Sequence, residues 1–122
     1  MAETSDIEIL DGARFEMLAN SIGPALEPII EKYLTDCGLD LEALPALIAE
    51  ANHDRVRFVA HRLKGASSSL GLLRLERGFG ELESCAAQRL ELHLETVAKL
   101  RNDLADAAFA LRPGSRQPTL AR

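Results

Sequence analysis

The sequence predicts an all-α fold: an antiparallel up-down four-helix bundle with a short additional N-terminal helix. Three observations predict it. Apolar residues recur at i, i+3, i+4 and i+7 through four long stretches, the period of a helix with one buried face. Only short turn signals separate those stretches, and short connections make antiparallel neighbours. The chain is rich in aliphatic residues and has no tryptophan, which suits a core of Leu and Ala. At 122 residues it can build one such core and not two.

Residues 1–12 read as an N-terminal arm. A short helix over 13–20 offers Phe15, Leu18 and Ala19 for burial, and Gly23-Pro24 breaks it. Pro24 suits the first turn of the next helix, where its missing N–H is not needed. The series Ile29, Ile30, Tyr33, Leu34, Cys37, Leu41, Leu44, Leu47, Ile48 and Ala51 keeps helical phase across Gly38 and predicts one long helix over 25–51. Pro45 cannot donate to the carbonyl of Leu41, which argues for a kink or a second helix start near Asp40, and an irregularity is expected between Cys37 and Pro45. Asn52-His53-Asp54 is a turn with capping potential. The next helix, over 54–70, carries the apolar stripe Val56, Val59, Ala60, Leu63, Ala66 and Leu70. Gly71 suits the left-handed position beyond its end. A helix over 72–87 buries Leu72, Leu75, Phe79, Leu82 and Ala86, and 88–92 forms a turn. The last helix, over 94–111, buries Val97, Leu100, Leu104, Ala107, Ala108 and Leu111 before Pro113-Gly114 stops it. The bundle is therefore expected over 13–112, with a flexible tail over 113–122.

Bulk properties narrow the function. The net charge is −5 and no basic stripe appears, so no nucleic-acid partner is expected. No run of about 18 apolar residues exists, so no membrane span is expected. The first ten residues carry acids without a basic flank, unlike a signal peptide. Cys37 and Cys85 are too few for a disulfide framework; free core thiols and a reducing cytoplasm are expected. The histidines and cysteines lack the close spacings of a zinc site, so no metal is predicted. His53 and His93 read as plain surface residues.

The most informative stretch is His61-Arg62-Leu63-Lys64-Gly65-Ala66-Ser67-Ser68-Ser69-Leu70-Gly71. His61, Lys64, Gly65 and Ser68 share one face of the helix, roughly opposite the apolar stripe. Glycine inside a helix costs ~1 kcal/mol against alanine. The cost makes sense if something bulky must approach the backbone beside the imidazole. To act as a nucleophile through Nε2, the ring must carry its proton on Nδ1, and a nearby acceptor should hold that tautomer.

This stretch resembles the histidine-containing phosphotransfer (HPt) family. The core motif of that family reads His-x-x-Lys-Gly, with small residues after it and a glycine ten positions past the histidine. His61, Lys64, Gly65 and Gly71 match, and Ser67 and Ser68 are small. The wider resemblance runs from about Leu26 to Leu111 as amphipathic helices in suitable order. It implies a phosphoryl relay in which His61 is phosphorylated between aspartates of receiver domains. A Gln or Glu twenty-two positions after the histidine accepts the Nδ1 proton in the family, and here that position is Glu83. Helix register agrees independently. Glu83 lies twelve residues after Gly71 and His61 ten before it, so an antiparallel pair brings them to similar heights.

Lys64 would neutralise phosphoryl charge, and Gly65 would leave room for the receiver. Ser68 would be a hydrogen-bond donor near the site. Arg57 is a candidate for docking or charge. Phe58 sits off the core stripe, either packed under the first helix or exposed on a docking surface. The implied partners are receiver domains of response regulators and hybrid histidine kinases, met by a monomer. The Mg²⁺ needed for transfer would belong to the receiver, and no cofactor is expected in this chain. No glycine-rich ATP-binding segment is present, so no autokinase activity is expected. Arg62 follows His61 where a dimeric sensor-kinase helix typically has an acid. The alternative reading is a non-catalytic helical-bundle adaptor or kinase-regulating protein that binds receiver or kinase domains. A small enzyme using His61 and Glu83 as an acid–base pair would need an apolar pocket with further polar groups, and the sequence points to none.

Overall fold

The computed structural model describes residues 7–113, and several of its helix ends fall where the sequence offers a cap or a break. Asp11 caps α1 (Gly12–Ile22), its side chain accepting from Arg14 N at 3.1 Å. Gly23 ends α1 with a φ of 53° and leads through one 3₁₀ turn, Gly23–Ala25, into α2 (Leu26–Ala49). Asn52 caps α3 (His53–Ser69) by accepting from Arg55 N at 3.2 Å. Gly71 takes a φ of 75° before α4 (Leu73–Ala87), and a short turn leads to α5 (Leu94–Ala110). A side chain at Gly71 would also lie 3.1 Å from the carbonyl oxygen of Asp11, so glycine is needed there twice over.

The four long helices form an antiparallel up-down bundle. α2 packs on α3, α3 on α4, α4 on α5 and α5 back on α2, and the α3–α4 interface is the most extensive. The short α1 caps the end where α3 turns into α4. Phe15 is buried there, Asp11 N donates to the Gly71 carbonyl at 2.7 Å, and Arg14 Nη1 donates to the Ser68 carbonyl at 3.3 Å. No strand forms among the described residues, and none of their helices is long and apolar enough to cross a membrane. Residues 1–6 of the expected arm and 114–122 of the expected tail lie outside the described residues. The described part of the arm is packed: Ile9 and Leu10 lean on the core, and Arg74 Nε donates to the Ile7 carbonyl at 2.9 Å.

Three expectations are corrected. α2 runs unbroken through the segment from Cys37 to Pro45. Pro45 removes one backbone bond, but Leu41, Leu44 and Ile48 around it are all buried, and that burial outweighs the local loss. Ile29 and Ala51 are exposed rather than core. Ile29 and Ile30 lie about 100° apart on the helix, and Ile30 takes the inward place. In α3, Ala66 is exposed and Ser67 is fully buried in its stead.

Ser67 can face the core because its hydroxyl is satisfied there. It donates to the Leu63 carbonyl at 2.8 Å and accepts from the Tyr33 hydroxyl at 2.7 Å, joining α2 to α3. Burial and the adjacent Cys37 push the Tyr33 phenol above its ordinary range, and burial pushes the Cys37 thiol up to about 11. Ser67→Ala removes the hydroxyl to which the buried phenol donates, leaving the Cys37 thiol as its remaining partner, and is expected to cost about 1–3 kcal/mol. Adding Tyr33→Phe should return most of it, and chemical denaturation of the single and double variants checks this.

Two polar contacts have no counterpart in the helical pattern. Asp103 is buried between Arg74 Nη1 at 3.7 Å and Lys99 Nζ at 3.4 Å, linking α4 to α5. His53, expected to be a plain surface residue, has Nδ1 3.0 Å from the Ala51 carbonyl and Nε2 2.8 Å from the Leu90 carbonyl. With the Arg89–Asp54 ion pair at 2.8 Å, it ties the α2–α3 turn to the α4–α5 turn.

Candidate functional site

The α3–α4 interface carries a three-residue constellation. His61 stands on the outer side of α3, its side chain 70% exposed. Glu83 comes from the facing part of α4, with its side chain only 19% exposed. Its Oε2 lies 2.8 Å from His61 Nδ1, and its Oε1 lies 2.9 Å from Lys64 Nζ. One carboxylate thus serves two donors from successive turns of α3.

The protonation pattern follows from donor and acceptor chemistry. A carboxylate only accepts, so the ring donates from Nδ1. In the neutral ring the lone pair is then on Nε2, which has no hydrogen-bond partner among the described residues. The Lys64 ammonium, opposed by partial burial and helped by the His61 N–H, holds the Glu83 carboxyl below its usual value. A depressed carboxyl keeps its stabilising contacts at neutral pH and loses them only as pH falls through the low carboxylate range.

The other sequence-selected residues fall in different places. A Cβ built at Gly65 meets nothing within 4 Å, so the backbone beside His61 is bare and open. Ser68 is half-buried two turns away; among the described residues its hydroxyl makes no hydrogen bond with His61, Lys64 or Glu83, and its carbonyl accepts from Arg14 and Gly71. Arg57 is exposed and makes no ion pair among the described residues. Phe58 does not pack under α1, because α1 sits at the other end of α3. It is 56% exposed, with the Arg55 and Arg62 guanidinium carbons 5.6 and 5.7 Å from its ring centroid. Arg62 is held in turn by Asp40 at 2.7 Å.

An open groove of about 640 Å³ between α1, α2 and α3 escaped the helical pattern. Leu18, Ile29 and Leu39 line it, and its α3 wall is Arg62, Ala66 and Ser69. Two adjacent isoleucines in α2 were the available signal, since both cannot face the core. Among the described residues, no three of His, Cys, Asp and Glu gather in a way that would hold a metal ion.

Compared with known proteins, residues 28–110 match the family model of the Hpt domain. No curated protein and no solved structure matches the chain.

Proposed function

This chain belongs to the Hpt domain family, and from that premise we propose that it carries a phosphoryl group on Nε2 of His61 between receiver-domain aspartates of a two-component phosphorelay. Hpt domains as a family perform histidine phosphotransfer in two-component systems and interact with receiver domains. The observation that carries the specific assignment is the exposed ring whose Nδ1 is engaged by Glu83 at 2.8 Å.

The step balances without proton transfer. The Nε2 lone pair forms the N–P bond as the P–O bond of the receiver's aspartyl phosphate breaks. The electron pair leaves with the aspartate carboxylate. The ring keeps its Nδ1 proton and becomes a cation, and Glu83 faces that new charge. Delivery to a second receiver runs the same step backwards and restores the neutral ring. Phosphoryl transfer asks mainly for alignment and charge compensation. Glu83 aligns the ring, Lys64 adds positive charge within one turn, and Gly65 admits the receiver. Phe58 and Arg57 stand on the approach and are assigned to docking. Ser68 has no supporting contact. Mg²⁺ would come with the receiver. Cys37 and Cys85 are free thiols, which supports a reducing compartment, the cytoplasm.

The test is incubation with a receiver domain charged by acetyl phosphate, followed by addition of a second, uncharged receiver. The expected result is label on His61 that moves to the second receiver, and no label from ATP alone. Tight receiver binding without label would instead favour the adaptor reading.

A further inference from the structure

We infer that Gly80 is a positioning residue for His61: its missing side chain seats the stem of Lys64, and the seated ammonium orients Glu83 toward the ring. The inference rests on the reading of His61 as a phosphoryl carrier. It adds a residue on α4 that neither motif nor helical period singles out.

α4 contains two glycines in its interior, where only proline is a poorer helix former. They have different causes. A Cβ at Gly78 would lie 2.7 Å from Leu100 Cδ2, so Gly78 lets α5 approach. A Cβ at Gly80 would meet a single neighbour within 4 Å, Lys64 Cδ at 3.3 Å. Gly80 therefore faces α3, and the Lys64 stem lies across it. From that seat the ammonium reaches Glu83 Oε1 at 2.9 Å, one helical turn beyond Gly80. The other carboxylate oxygen is left for Nδ1 at 2.8 Å. With both oxygens engaged, the carboxylate plane has one orientation.

The surroundings offer Lys64 other partners. Lys64 and Gly80 line an open cleft of about 580 Å³ together with Glu76 and Glu81. Those two carboxylates are occupied by Arg14 at 3.4 Å and Arg77 at 3.3 Å, and both ion pairs are solvent-exposed. A side chain at position 80 would lift the lysine stem and free its ammonium to swing toward them. Glu83 would then keep one partner and lose its fixed plane.

The experiment compares Gly80→Ala and Gly80→Leu, each alone and in a Lys64→Ala background. Two readouts are used: the NMR titration of the Glu83 side-chain carboxyl, and the rate at which a receiver charged with acetyl phosphate labels His61. In the Lys64 background of the native chain, the Glu83 carboxyl should titrate higher, more so with Leu than with Ala. Labelling should slow by about three- to tenfold, the scale of a sub-ångström misplacement. In the Lys64→Ala background neither substitution should add anything, because the coupling runs through the lysine. An unmoved Glu83 titration, or equal slowing in both backgrounds, overturns the role of Gly80. Absence of label on native His61 overturns the phosphoryl-carrier reading, and the carboxyl titration still decides whether Gly80 seats the lysine.

Discussion

Replacing His61 by Gln is expected to abolish acceptance of a phosphoryl group from a charged receiver and to leave helicity and melting temperature essentially unchanged. The two halves of this result have separate causes. The ring is 70% exposed and contributes nothing to the core, so its removal stays within about 0.5 kcal/mol of neutral, as for most surface changes. The side-chain amide of Gln can still donate to Glu83, so the α3–α4 contact is preserved. It offers no ring nitrogen with a lone pair, so no N–P bond forms. The native label should be acid-labile and base-stable, as expected of a phosphoramidate. Gel analysis after acid and base treatment, with circular dichroism on the same samples, checks both halves. Equal labelling of the variant would remove His61 from the mechanism.

Phe79→Ala is expected to have the opposite signature: a large loss of stability. Phe79 is the largest of the fully buried side chains and sits in the middle of α4. Truncation removes its transfer free energy and leaves a cavity between helices, a cost of about 3–5 kcal/mol. Domain stabilities are only about 5–15 kcal/mol, so a large share is lost. For a domain of this size the melting temperature should fall by about 10–20 °C. Phe79 lies one residue before Gly80 on the helix that carries Glu83, so loosened packing reaches the site as well. Scanning calorimetry measures the first effect. A loss below about 1 kcal/mol would mean the interior collapses around the missing ring, against the close packing described for α4.

Much of the fold is legible because its signals are repeated. Leu75, Phe79, Leu82 and Ala86 state the inward face of α4 four times, and Gly71 marks the turn before it, where φ is 75°. The meeting of His61 and Glu83 is legible for a related reason: equal residue counts from one turn give equal heights on two antiparallel helices.

What escapes depends on tertiary context. Spacing alone puts an irregularity near Pro45, because the lost backbone bond is local and the compensating burial is not. Spacing favours Ala66 over Ser67, because the hydroxyl's partners, Tyr33 and Leu63, appear only when α2 lies against α3. His53 reads as bland until the α4–α5 turn brings the Leu90 carbonyl to it. Gly80 carries no periodic signature at all. Its meaning comes from one atom of Lys64 on another helix. Lys64 itself, expected beside a phosphoryl group, has its ammonium on Glu83, a contact that charge alone permits but does not specify.

The central claim concerns which ring nitrogen takes the phosphoryl group. It is tested most directly by nitrogen-15 NMR of the phosphorylated protein carrying labelled histidine. The account predicts phosphorus coupled to Nε2 of His61 and a proton retained on Nδ1, shielded from exchange by Glu83. Phosphorus on Nδ1, or on any residue other than His61, would contradict it.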